Sequence, residues 1–247
     1  MLNYSKKALI IDNLRMRYFN SPNWVLDGLN LKIDNGERKA LIGSSGCGKS
    51  SLAKVLLNLL PPESICEGNI FFADKPRKQF DELSFQEIRG NAVGLVFQDP
   101  MTRLNPLMTI GDHVIDTLYS SKINTTYQWK INRAYELLDL VGLDTARFHA
   151  YPHEFSGGMR QRLVIALAIA LEPSLLIADE PTTSLDVVIA NQIMSKLSRL
   201  CDELGTSLLL ISHDLALAAK WCHRTAILDQ GRIVEEDSSL IILTNPK

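Results

Sequence analysis

Apolar residues recur along this chain with two spacings, and the way the two alternate predicts its architecture. Every-second-residue alternation marks strands near the N-terminus, as in Leu29-Asn30-Leu31-Lys32-Ile33, closed by the turn Asp34-Asn35-Gly36-Glu37. Short unbroken apolar runs read as strands buried on both faces: Val93-Gly94-Leu95-Val96-Phe97, Ser174-Leu175-Leu176-Ile177-Ala178 and Ser207-Leu208-Leu209-Leu210-Ile211. Helical spacing lies between them. Ala134, Leu137, Leu138 and Val141 fall on one helix face, and Ile189, Ile193, Leu197, Leu200 and Leu204 mark a longer amphipathic helix. Apolar strands alternating with helices predict an α/β fold with a parallel sheet covered on both sides. Residues 98–170 read mostly as helix and loop, a helical insertion into that core. Arg224 to Glu235 reads as a hairpin turning near Gln230-Gly231.

Composition changes this picture little. The 247 residues suit one large domain, and 46% apolar with 22% charged residues is ordinary for a globular protein. A net charge of −2 supplies no overall attraction for DNA or RNA. No apolar run approaches the roughly 18 residues needed to span a bilayer, and the first residues lack a signal-peptide core. Cys47, Cys66, Cys201 and Cys222 show no C-x-x-C spacing, which predicts reduced thiols in the cytoplasm.

The chemistry enters with Gly43-Ser44-Ser45-Gly46-Cys47-Gly48-Lys49-Ser50, a G-x-x-x-x-G-K-S phosphate loop. It lies between a predicted strand, Arg38 to Ile42, and a predicted helix, Ser51 to Leu57. Such a loop turns its backbone N–H groups toward phosphate. Lys49 reaches the β- and γ-phosphates, and Ser50 Oγ can ligate Mg2+. The thiol of Cys47, beside Lys49 and a helix N-terminus, is either alkylation-sensitive or simply a small loop residue. A nucleotide site also needs a metal-holding acid. Leu175-Leu176-Ile177-Ala178-Asp179-Glu180 ends a strand on two, with Asp179 placed for Mg2+ and Glu180 for polarising an attacking water.

Phe155-Ser156-Gly157-Gly158-Met159-Arg160-Gln161-Arg162 then separates this chain from other phosphate-loop proteins. Ser-Gly-Gly opening an apolar helix is an anion-binding helix N-terminus. With it, the chain from about Leu9 to Val234 resembles the nucleotide-binding domain of ABC transporters. The resemblance implies an ABC-type P-loop NTPase over residues 1–247. It has a RecA-like parallel-sheet core with an N-terminal antiparallel β-subdomain (8–97 and 171–247) and an inserted helical subdomain (98–170). It implies ATP and Mg2+ as ligands, with Gly43 to Ser51 on the phosphates. Gln98 would contact Mg2+ or water and sense a transmembrane partner. Ser184-Leu185-Asp186 would cross a subunit interface, and His213 would contact the γ-phosphate. Tyr18 is the best match to the adenine-stacking aromatic, with Phe19 next. Ser156, Gly157 and Gly158 would serve the γ-phosphate bound to a second subunit.

Two strings narrow the branch. Phe97-Gln98-Asp99-Pro100-Met101-Thr102-Arg103-Leu104-Asn105-Pro106 and Tyr151-Pro152-His153-Glu154-Phe155 are similar to stretches of oligopeptide, dipeptide and nickel importers. Met159 at the fifth signature position is usual in that branch. Its His-Pro-Tyr extension has no counterpart at Thr244-Asn245-Pro246-Lys247, so no role of it carries over. The resemblance implies permease subunits, a second ABC ATPase subunit (homo- or heterodimer), an indirect link to a periplasmic or surface solute-binding protein, no nucleic acid, and a peripheral place on the cytoplasmic face of the membrane. The alternative is an ABC-like ATPase of a soluble assembly, either a carbon–phosphorus lyase-type subunit or a nucleic-acid repair ATPase.

Overall fold

A computed structural model describes residues 7–72, 75–76, 88–90, 92–97, 104–120, 125–183 and 185–245. Among these, the strands form two sheets. The first is four-stranded and antiparallel, in the order β2-β1-β4-β5. Its strands are β1 (Lys7–Arg17), β2 (Leu26–Asp34), β4 (Ile65–Phe72) and β5 (Lys75–Pro76). The second is six-stranded, in the order β10-β9-β3-β8-β7-β6. It is parallel from β9 to β6, with β10 antiparallel at its edge. It contains β3 (Arg38–Ile42), β6 (Val93–Val96), β7 (Leu175–Asp179), β8 (Ser207–Ser212), β9 (Arg224–Asp229) and β10 (Arg232–Ser238).

The unbroken apolar runs have a simple cause. Successive side chains of a strand point to opposite faces, and both faces of this sheet are covered. Leu208 and Leu210 of β8 join one core, with Ala40, Leu176, Val164 and Ile193. Leu209 and Ile211 join the other, with Leu41, Ile177, Leu52 and the β1–β2 residues Leu9 and Leu29. Helix α1 (Lys49–Leu56) lies on the second side, and α5 (Val187–Leu204) on the first. The first core extends into α2 (Ile110–Tyr119), α3 (Tyr127–Leu140) and α4 (Gly157–Ile169), the helices between β6 and β7. Short helices α6 (Leu215–Trp221) and α7 (Ser239–Thr244) follow.

One buried cation ties the sheets together. Lys39, 1% exposed on β3, donates to the Lys32 carbonyl of β2 and pairs with Glu236 of β10 at 2.8 Å and Glu37 at 3.4 Å.

Helix starts differ in a way that matters for the site. Thr109 caps α2 in a reciprocal box with Asp112, and Ser156, Asp186 and Asp214 cap α4, α5 and α6 with their side chains. Helix α1 starts at Gly48 with no side-chain cap and no acid in its first turn. Its first N–H groups are therefore left for an anion.

Candidate functional site

Parallel pairing decides which loops meet. Strand β8 lies between β3 and β7, so the C-terminal ends of all three come together. The phosphate loop leaves β3, Asp179-Glu180 ends β7, and His213 follows β8. These surround a cavity of about 550 Å³ lined by Ser45, Gly46, Gly48, Lys49, Ser50 and Ser51 on one side and by Glu180, His213, Tyr18 and Val25 on the others.

The loop is shaped by close packing. Gly48 has φ +112, and a Cβ there would meet Leu26 Cδ2 and the Val25 carbonyl at 2.9 Å. At Gly43 a Cβ would lie 2.3 Å from the Leu228 carbonyl. The β9–β10 turn supports the loop from behind, since Gly231 N–H donates to the Cys47 carbonyl at 3.2 Å. Lys49, 7% exposed, donates from Nζ to the Gly43 and Ser44 carbonyls at 2.8 Å each. The ammonium is thus held within the loop, where phosphate oxygens could replace the carbonyls.

Ser50 Oγ lies 3.4 Å from Asp179 Oδ1. Burial pushes the Asp179 carboxyl above its ordinary value; the Ser50 contact opposes this, and the neighbouring Glu180 charge adds to it. Ser50 Oγ on the cavity wall and the half-buried Asp179 carboxylate beside it are two hard oxygen donors, which would suit a small divalent cation such as Mg2+. Glu180 differs. Burial would raise its carboxyl, but the Thr183 hydroxyl bond and His213 more than offset that and hold it below the usual value. Thr183 Oγ1 donates to Glu180 Oε2 at 2.7 Å, and His213 Nδ1 lies 3.3 Å from Oε1. Glu180 has φ 47, a left-handed conformation costing a residue with a Cβ about 1–2 kcal/mol. The bond from its N–H to the Ile211 carbonyl, 2.9 Å, fixes it there.

Tyr18 lines the cavity, with its hydroxyl 3.0 Å from Ser51 Oγ. Phe19 is 57% exposed to solvent. Ser156, Gly157 and Gly158 are not in this cavity. They open α4, with Ser156 Oγ accepting from Met159 N–H at 3.4 Å, and pack on the start of α5 through Leu185 and Ile189. Asp186 caps that same helix, accepting from Val188 and Ile189 N–H at 3.0 Å. Gln98 and Ser184 lie outside the described residues. The Cys47 thiol is 7% exposed and packs in the core beneath the loop, which restricts access to it, and it lies 4.0 Å from Lys49 Nζ. Sequence reasoning missed Val25, Gly231 and Thr183. Only Thr183, an exposed hydroxyl three residues past the acid, carried a signal that could have found it.

Comparison with known proteins places this geometry. The family model described as "ABC transporter" matches residues 26–183. The oligopeptide transport ATP-binding protein AppD of Bacillus subtilis is 41% identical over 92% of this chain and 71% of its own length. OppD of the same organism is 43% identical over 89% of this chain, which spans 62% of that relative's length. The dipeptide transport protein DppD of Lactococcus lactis is 38% identical over 98% of this chain and 71% of its own. Among solved structures, the ATP-binding cassette MJ0796, a dimer in a post-hydrolysis state with ADP and Pi, superposes with a TM-score of 0.81 at 28% identity over 94% of this chain and 98% of its own. Because the family model runs from the start of β2, through the phosphate loop, to the turn beyond Glu180, and the relatives extend that likeness over most of the sequence, this chain belongs to the ABC transporter family as one of its ATPases.

Proposed function

We propose that this chain is the ATP-hydrolysing subunit of an importer for peptides or a related small solute such as nickel, working head-to-tail with a second ATPase subunit beneath membrane-spanning permeases. One observation carries the reading. The cavity lined by Lys49, Ser50, Glu180 and His213, with Asp179 beside Ser50 at its edge, gathers the groups read as one half of a phosphate site, while Ser156, Gly157 and Gly158, read as the other half, open α4 outside that cavity. Two copies, or two related chains, set head to tail would bring unlike halves together.

In this reading Tyr18 stacks on adenine, and the N–H groups of Gly43 to Gly48 and the start of α1 surround the phosphates. Lys49 trades its carbonyl bonds for phosphate oxygens. Ser50, Asp179 and Gln98 hold Mg2+, which neutralises phosphate charge when bound. Glu180 takes a proton from the attacking water, and His213 orients the γ-phosphate. Ser156 to Gly158 and Asp186 act across the interface. ATP then binds the closed pair better than the open one, so its hydrolysis favours opening.

An apolar groove of about 300 Å³ between the sheet and the helical insertion, lined by Leu57, Leu95, Phe97, Leu104, Val164 and Leu167, supports a permease contact. Among the described residues no helix is long and apolar enough to cross a membrane, which suits peripheral attachment through partners. The names of AppD, OppD and DppD support peptides as the solute.

Purification of the tagged chain from its own cells with mild crosslinking tests this. Permease proteins and a second ATPase are expected. Recovery with a soluble enzyme complex or with nucleic acid instead would overturn the transport role.

A further inference from the structure

The segment leaving β7, Glu180-Pro181-Thr182-Thr183, folds back on itself at two points. Thr183 N–H donates to the Glu180 carbonyl at 3.4 Å, and Thr183 Oγ1 donates to Glu180 Oε2 at 2.7 Å. The second is a short hydroxyl–carboxylate bond, the charge-assisted kind that holds geometry well. The Glu180 main chain is already fixed through its bond to Ile211 on β8. Its side chain still has three rotatable bonds, and the hydroxyl stops that rotation at the far end. Oε2 is then engaged by Thr183, and Oε1 lies 3.3 Å from Nδ1 of His213, which lines the nucleotide cavity.

Thr183 itself is exposed and lines the neighbouring cleft with Leu185, Val187 and His213, the last shared with the nucleotide cavity, and its direct hydrogen bond toward that cavity is the one to Glu180. It also starts the segment leading to Asp186, so the carboxylate is tied to the stretch that caps α5.

We propose that Thr183 is a positioning residue for ATP hydrolysis, its hydroxyl holding Glu180 Oε2 so that Oε1 faces the attacking water. The proposal rests on Glu180 being the base, as read above. In the step it serves, the water oxygen bonds the γ-phosphorus as one water proton passes to Oε1. The bond from that phosphorus to the bridging oxygen breaks, and ADP leaves with the electron pair. Thr183 neither gives nor takes a proton.

The test compares Thr183→Val, Thr183→Ala and Thr183→Ser with Glu180→Gln and the Glu180→Gln/Thr183→Val double variant. Steady-state MgATP hydrolysis is measured for the single variants and slow single-turnover rates for the Gln variants. Loss of the hydroxyl in Val and Ala should lower kcat roughly ten- to a hundredfold with KM for ATP nearly unchanged, as small misplacements of reacting groups do. Ser should restore most of the rate. In the Glu180→Gln background the Val change should cost nothing further, since coupled residues fail to add. Parental kcat in Val and Ala with an inactive Glu180→Gln overturns the Thr183 role alone. So does a Ser variant as slow as Val, or a full Val loss in the Gln background. Parental turnover by Glu180→Gln overturns the base assignment, and the proposal with it.

Discussion

An ammonium held at 2.8 Å by two carbonyls of its own loop, as in Lys49, is poised rather than free. Bonds to a charged donor are each worth about 1.5–3 kcal/mol, so on the proposed reading the lysine would exchange these carbonyls for phosphate oxygens and keep its hydrogen bonds throughout. Lys49→Ala should weaken ATP binding by about tenfold or more, measured by titration calorimetry. Nucleotide affinity equal to the parent's would remove Lys49 from the phosphate site. The cysteines make a second residue-scale point. Burial pushes the Cys201 and Cys222 thiols up to about 12, and Cys66 to about 11. A raised acid pKa favours the protonated form, and the thiolate is the nucleophile. At neutral pH the folded chain should therefore label slowly with iodoacetamide at these three thiols, and at Cys47 for want of access, with all four labelling quickly in urea. Linkage has the same sign. A thiol protonated in the fold contributes stability below its ordinary value, and that contribution falls as pH rises above it. Rapid labelling of native Cys47 with loss of ATP binding would instead support the reactive reading of that residue.

At the scale of elements, contacts between helices set what glycine does. A Cβ on Gly158 would come within 2.8 Å of Ile189 Cγ2, at the start of α5. Gly158→Val should force α4 and α5 apart, costing about 1–3 kcal/mol in urea denaturation, and should impair any anion site at the start of α4. Unchanged stability would mean that the two helix starts move independently. Lys39 tests the joint between the sheets. Removing one partner of a buried ion pair leaves the other charges stranded, which costs about 3–5 kcal/mol. Lys39→Ala, which leaves Glu37 without that cation and Glu236 with Arg224 alone, should lower the thermal midpoint well beyond an exposed control such as Lys54→Ala. A shift no larger than the control's would show the joint to be held by apolar packing alone.

At the scale of the whole molecule, the two half-sites predict behaviour that no single chain shows. Glu180→Gln should bind ATP yet hydrolyse it poorly, and so accumulate as an ATP-bound pair on gel filtration, with itself or with a related ATPase. A variant that binds ATP and remains monomeric with every candidate partner would contradict the shared-site reading.

The strands, the helix of 187–204, the phosphate loop and the acidic strand end were legible because their signals are local. Period-two and unbroken apolar runs follow from side-chain direction, and glycine spacing follows from backbone conformations only glycine takes cheaply. Strand β4 is the exception: Glu67-Gly68-Asn69 and the exposed Ile65 break the apolar alternation, and it exists because β1 offers an edge to pair with. The roles of Lys39, Gly231 and Val25 were not legible either, since they depend on residues far away in sequence. By itself, then, the sequence determined that an α/β fold of the nucleotide-binding kind forms and where its glycine-rich loop lies, since those follow from spacing and backbone freedom. Only the tertiary structure decided that β8 sits between β3 and β7, bringing Lys49, Glu180 and His213 to one cavity. It alone buried the Cys47 thiol and set the Thr183 hydroxyl on Glu180, because distances between strand ends and turns are fixed by pairing and packing across the whole chain.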